Sequence, residues 1–154
     1  MDALSLLKQD HQAVEGLFKD FERAGEKAKV KKKRIVKKIV KELALHAALE
    51  EQLFYPVVQD AAKENELALK AMEQHDVVNA LLEQLDSMSP EEDRFKAKVT
   101  VLIETVREHV RQEEALMFPK IRKALTPDQR KALGERLEEG KKAMASPKDY
   151  LKMA

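Results

Sequence analysis

Apolar side chains recur every three to four positions along almost the whole chain, with charged residues filling the intervals. That period belongs to amphipathic helices, not to the alternation of strands. A first helix, capped by Asp2 or Ser5 and stopping near Ala24-Gly25, carries the stripe Leu4, Leu7, His11, Val14, Phe18, Phe21. The second spans about Lys29 to Ala62, with Val36, Ile39, Val40, Leu43, His46, Ala47, Glu50, Leu53, Phe54 and Val57 on one face and Pro56 expected to bend it. A third, about Leu67 to Ser87, aligns Ala68, Met72, His75, Val78, Asn79, Leu82 and Leu85. Ser89-Pro90-Glu91-Glu92 reads as a cap, a first-turn proline and an acid at the third position. It predicts the start of a fourth helix that runs to about Ala124, with stripe Phe95, Val99, Leu102, Val106, His109, Glu113, Leu116 and Met117. Thr126-Pro127-Asp128-Gln129 repeats that chemistry and opens a fifth helix to about Ala145, followed by a tail from Ser146-Pro147. The expected fold is all-α: an antiparallel up-and-down four-helix bundle over residues 1–125, with an additional C-terminal helix and tail, 126–154, in the same domain.

Composition narrows the chemistry. The 154 residues suffice for one continuous core. The absence of Cys excludes disulfides, thiolate metal sites and a cysteine nucleophile. Any metal must be held by His and carboxylate. A net charge of +1 gives no global field for nucleic acid or an anionic membrane. Met1-Asp2-Ala3-Leu4 does not open a secretory leader, so a cytoplasmic protein is expected. One segment departs from the balance: Lys27 to Lys41 holds nine Lys or Arg and no acid. Ile35, Val36, Ile39 and Val40 interrupt it at helical spacing and no aromatic interleaves it, so it reads as a solvated helix face. No nucleic-acid or membrane partner is expected.

The chain repeats itself. Shifted by 63 residues, His46, Glu50, Glu51, Leu53 and Pro56 fall on His109, Glu113, Glu114, Leu116 and Pro119; shifted by 64, His11, Val14 and Phe18 fall on His75, Val78 and Leu82. Two αα-hairpins related by a pseudo-twofold axis follow, each with one His on its first helix and His-x-x-x-Glu on its second. Residues four apart on a helix differ by about 40° and about 6 Å in height, so each His-Glu pair projects side by side from the buried face. A lone carboxylate in an apolar core is unfavourable by several kcal/mol unless paired, protonated or bound to a cation. Any one of these His alone reads more readily as a hydrogen-bonded core residue than as a ligand. Taken together, all four His of the chain lie on core stripes, one per bundle helix, with two coupled Glu. Four imidazoles and two carboxylates suit two metal ions, and donor chemistry favours Fe, Mn or Zn.

The order His11, His46-x-x-x-Glu50, His75, His109-x-x-x-Glu113, followed by Phe54-Tyr55-Pro56 and Phe118-Pro119, resembles the hemerythrin-like (HHE cation-binding) family over about residues 5 to 125. The resemblance implies a non-haem centre of two iron ions bridged by two carboxylates and an oxo or hydroxo group, reacting with O2 or a related small molecule. It assigns His11, His46, His75 and His109 as terminal ligands and Glu50 and Glu113 as bridges. The oxygen-carrying members have a second His four residues after the first on the third helix; here that position is Asn79. With two His per iron, reaction with H2O2, NO or O2 is expected over reversible O2 storage, as peroxide-linked redox chemistry that is catalase-like or NO-oxidising. A non-catalytic oxygen or iron sensor or store, and a metal-free structural bundle, are the alternatives.

Tyr55 follows Glu50 by five. Its hydroxyl is a candidate ligand, hydrogen-bond donor or redox-active phenol, set against plain aromatic packing. Glu15, Glu51, Glu114, Asp10 and Gln74 stand near the ligands and are expected on the rim or behind them.

Overall fold

A computed structural model describes residues 1–144; the expected tail from Ser146-Pro147, and Ala145 of the expected last helix, lie outside the described residues. The elements are α1 (Ala3–Arg23), α2 (Lys29–Leu49), α3 (Tyr55–Asp60), α4 (Asn65–Ser87), α5 (Phe95–Gln112), α6 (Phe118–Ala124) and α7 (Pro127–Ala143), with π-helical turns at Glu50–Phe54 and Glu113–Met117. Helices α1, α2, α4 and α5 form the bundle, each packed on the next and α5 closing back on α1. Helix α7 lies outside it, against α1, α2 and the first π turn.

The cap of α1 is Asp2, whose Oδ1 accepts the Leu4 amide at 2.7 Å. The helix stops at Ala24 in an extended conformation, so Gly25 supplies no left-handed turn. The expected start at Ser89-Pro90 is displaced. Ser89 does bond to both acids, its N–H to Glu92 Oε2 at 2.7 Å and its Oγ accepting from Glu91 N–H at 3.2 Å. That cap closes only three-residue turns, Glu92 N–H to Ser89 O and Phe95 N–H to Glu92 O, and the α ladder begins at Phe95.

The second and fourth predicted helices each contain an unexpected π turn. Tyr55 N–H reaches back five residues to Glu50 O, and Phe118 N–H to Glu113 O. Pro56 and Pro119 then stand as the second residues of α3 and α6, where the missing N–H is not needed. One extra residue in the turn slips the buried stripe downstream by one position. Leu53 and Val57 are half-buried and Leu116 is exposed, whereas Tyr55, Val58, Phe118 and Ile121 are buried.

The core has two parts. One gathers Phe18, Phe21, Ile39, Leu82, Phe95 and Leu102. The other gathers Leu7, Phe54, Tyr55, Phe118, Ile121 and Leu137. His11, His75 and His109 fall between these two parts along their helices, and His46 lies at the end of the first, between Ala44 and Ala48.

The basic run divides by role. Lys33 reaches the C-terminus of α4, donating to Leu85 O at 2.9 Å, Asp86 O at 3.1 Å and Met88 O at 2.6 Å. Lys29 pairs with Glu91, and the stem of Lys32 is buried with its ammonium over Phe21. Lys31, Arg34, Lys37, Lys38 and Lys41 are exposed. No helix among the described residues is long and apolar enough to cross a membrane.

Thr126 and Gln129 form the expected capping box of α7. Arg130 ties that helix to Asp2 at 2.9 Å. A Cβ on Gly134 would lie 1.9 Å from Met1 O and 2.9 Å from Ala3 N, both backbone. Gly134→Ala is therefore expected to destabilise by about 1–3 kcal/mol, read as a lower Tm in thermal unfolding. Gly140→Ala should cost less, because its Cβ meets only the Leu49 Cδ2 side-chain end, at 2.6 Å.

Candidate metal centre

The helical phasing that puts one His on each bundle helix brings all four Nε2 atoms to one level, where Glu50 and Glu113 enter from the starts of the π turns. All six residues are buried, Glu50 completely. Two groups form. In the first, donor atoms of His11, His46, Glu50 and Glu113 lie within 4.8 Å of one another; in the second, those of Glu50, His75 and His109 do. Glu50 Oε1 is 3.1 Å from His46 Nε2 and 3.3 Å from His75 Nε2, so it faces both halves. Glu113 offers one oxygen to each: Oε1 is 3.2 Å from His11 Nε2 and Oε2 is 3.2 Å from His109 Nε2.

The Tyr55 hydroxyl is the fourth group of the second half. It donates to Glu113 Oε2 at 2.8 Å, lies 3.2 Å from Glu50 Oε1 and 3.1 Å from His75 Nε2. Position 55 would lie well off the Glu50 face in a regular α-helix, about 140° round the axis. The five-residue π turn brings it onto that face. Phe118 is its counterpart in the other half and stacks on His11 with ring centroids 6.1 Å apart. The centre is thus asymmetric where the repeat differs, Tyr against Phe.

Behind the Nε2 atoms, the Nδ1 atoms find partners that cross between helices. His11 Nδ1 donates to Glu114 Oε2 at 2.7 Å and His46 Nδ1 to Asp10 Oδ2 at 3.2 Å. His109 Nδ1 donates to Gln74 Oε1 at 2.5 Å. Gln74 in turn donates to Gln112, and Gln112 to Glu108, which fixes the orientation of both amides. His75 Nδ1 has Glu51 Oε1 at 3.8 Å and no hydrogen bond among the described residues. Asp10 is itself held by Lys141 of α7. The pairs obey the sequence repeat: Asp10 to His46 matches Gln74 to His109, and Glu114 to His11 matches Glu51 to His75. In the sequence these outer partners are only neighbours of the candidate ligands; the 63- and 64-residue shifts, extended to Asp10 and Gln74, are the signal that could group them. Glu15 stays on the rim, bound to Arg107 at 2.9 Å. Asn79 is buried, with Nδ2 unpartnered among the described residues.

The donor chemistry fits a metal. A proton on Nδ1 of His11, His46 and His109, required by their outer acceptors, leaves those three inner Nε2 atoms as bare lone pairs. His11 and His46 then face each other, Nε2 to Nε2, at 3.2 Å, and His109 Nε2 lies 3.3 Å from that of His75. Glu50 Oε2 and Glu113 Oε1 are buried without a hydrogen-bond donor. Acceptors packed this closely in a dry core need positive charge among them, from protons or from cations. In the metal-free chain protons supply it. Burial opposes a charge on His46, but Glu50 and Asp10 hold it well above its usual value. Burial likewise opposes a charge on His109, and Glu113 raises it. Burial pushes Glu50 up, yet His46 and its hydrogen bonds hold it well below the ordinary carboxylate range. Burial, then the Glu113 and Glu50 carboxylates, push the Tyr55 phenol well up, so it stays a neutral donor.

An outer partner that sets a ligand's tautomer is worth about 10–100-fold in metal affinity. Asp10→Ala is expected to weaken binding in the first half by that factor, measured by competition against a chromophoric chelator. Unchanged affinity would show that the Asp10–His46 contact is incidental.

Residues 2–121 match the hemerythrin HHE cation-binding domain. A DNA nickase of Nostoc sp. (strain PCC 7120 / SAG 25.82 / UTEX 2576) is 30% identical over 129 residues, which are 84% of this chain and 36% of that protein. This chain therefore spans about a third of the relative's length. The crystal structure of a hemerythrin HHE cation-binding domain-containing protein from Mycobacterium kansasii superposes with a TM-score of 0.78 at 21% identity, over 99% of this chain and 89% of that one. That likeness shows the fold: an all-helical bundle with an extra helix. The chain belongs to the hemerythrin HHE cation-binding domain family.

Proposed function

We propose that this protein holds two iron ions, His11 and His46 serving one and His75 and His109 the other, with Glu50 and Glu113 between them. It reacts with H2O2, NO or O2, most readily in peroxide-linked redox chemistry of a catalase-like or NO-oxidising kind. The observation that carries this reading is the pair of Nε2–Nε2 contacts, at 3.2 and 3.3 Å, flanked by donorless carboxylate oxygens. Protons relieve that arrangement in the metal-free chain, and two cations would relieve it in their place. Mn and Zn share the donor preference.

When bound, iron supplies one-electron redox chemistry and sites for a small molecule. The chain's own groups do the rest. Glu114, Asp10 and Gln74 orient three of the imidazoles. Tyr55 O–H, 2.8 Å from Glu113 Oε2, is the one hydroxyl at the centre and holds a transferable proton there. The two His pairs are equal in number, because position 79 is Asn and leaves the second half without a third imidazole. That equality supports reaction over reversible storage.

The test mixes the ferrous protein with H2O2, NO and O2 in separate experiments. The expected result is turnover of peroxide or NO well beyond the iron present. A long-lived oxygen adduct with no turnover, or release of iron alone, contradicts it and favours the carrier or store.

A further inference from the structure

Four side chains, those of His11, Val14, Val106 and Val110, stand on the walls of two cavities at once. The outer one is a cleft of about 290 Å³ along the seam between α1 and α5, with a charged rim that includes Glu15, Arg107 and Arg111. The inner one is about 30 Å³ and lies against all four imidazoles, its other walls being Leu43, Ala47, Val78 and the three shared valines. The seam is clasped on either side of the cleft. Towards the π turn His11 holds Glu114 at 2.7 Å; farther along, Arg107 binds Glu15 and Glu22, each at 2.9 Å, over the ring of Phe18. Between the clasps the wall common to both cavities is His11 with Val14, Val106 and Val110.

We propose that this window is the entry route, with Val14, Val106 and Val110 as its filter, admitting reactants of about two heavy atoms and rejecting larger peroxides. The inference rests on the reading of the centre given above and adds the route and the size class. The size follows from the inner volume: by the same measure one water needs roughly 10–15 Å³, so 30 Å³ holds a molecule of about two heavy atoms. The remaining walls are aliphatic: no Lys, Arg, Asp or Glu lines the inner cavity among the described residues.

A second approach, the groove between α4 and α5, also reaches His109 and Glu113. The Gln74–Gln112 hydrogen bond, 3.2 Å, joins two of its lining residues, and Gln74 also holds His109. Passage there would break the chain of bonds that fixes a ligand. At the α1–α5 window only van der Waals contacts must yield, which side-chain rotation on the nanosecond scale allows.

The experiment uses the full chain loaded with Zn2+, which is diamagnetic and redox-inert, and dissolved O2 as a paramagnetic probe read by methyl relaxation. Expected is strong O2-induced relaxation at Val110, Val14 and Val106, continuing to Val78 and Leu43. In Val110→Phe the relaxation at Val78 and Leu43 should fall several-fold, and in Leu67→Phe, on the α4–α5 groove, it should not change. A bulkier nitroxide should relax Val110 but not Val78. Inner methyls untouched by O2 in the unsubstituted chain, or silenced by Leu67→Phe and not by Val110→Phe, overturn the route. The unsubstituted gradient needs no variant to fold. Zinc content is measured on the same samples, so a failed route and a failed metal centre give separate signals.

Discussion

Glu113→Ala is expected to lower the metal content from about two ions per chain to less than one, because both halves lose a donor at once. Glu113 Oε1 and Oε2 face different His pairs, each at 3.2 Å, so no single imidazole removal reaches both. Glu113→Gln should do nearly the same. The amide keeps the shape but brings N–H donors against bare Nε2 atoms and removes a charge that balances the cations. His46→Ala should be milder, emptying the first half before the second. If the buried carboxylates were instead only partners of protonated imidazoles in a structural bundle, the signature would differ. The substitution would then cost about 3–5 kcal/mol of stability, the price of stranding a buried partner, and leave metal content where it was. Metal analysis and thermal unfolding of the same samples separate the two outcomes.

Tyr55→Phe is expected to leave both ions in place and slow peroxide turnover by about 10²-fold, the low end of what a positioned proton donor contributes. Phe fits the site, because Phe118 already occupies the equivalent position against His11. The substitution removes one O–H from among the carboxylates and imidazoles and leaves the ring contacts with Phe54 and His75. The checks are turnover at fixed iron content and the visible spectrum of the ferric protein. A phenolate bound to iron would give a charge-transfer band that Tyr55→Phe abolishes; a phenol acting only as proton donor would not. Unchanged turnover would reduce Tyr55 to packing.

The cluster of four His and two Glu is legible in the sequence because the bundle helices keep regular α phase up to Glu50 and Glu113, and a stripe projected from Leu43 or Val106 lands on His and Glu. Beyond those residues the projection fails. Leu116 was assigned inward and is exposed, and Tyr55 was off the stripe and is fully buried, since the π turn adds a residue that periodicity alone does not register. Pro56 and Pro119 marked both places, but a proline signals a lost donor and not which longer bond replaces the ladder. At Ser89-Pro90 the local chemistry formed as read, yet such a cap fixes one turn only, and the buried Phe95 sets where the helix begins. The outer partners needed the fold. Asp10 adjoins His11 in sequence but bonds His46, because successive helical residues point about 100° apart and only a neighbouring helix can present the ring. Docking of α7 left two small signals, Gly134 and Gly140, where the extra helix comes closest to the bundle.

If the four imidazoles and two carboxylates converge to hold two metal ions, the purified chain carries both. The most direct measurement is elemental analysis of the purified chain beside Glu113→Ala and His46→Ala. About two ions per chain, iron foremost, with loss in both variants, is the predicted result. Fewer than about one ion per chain, unchanged by either substitution, would contradict it.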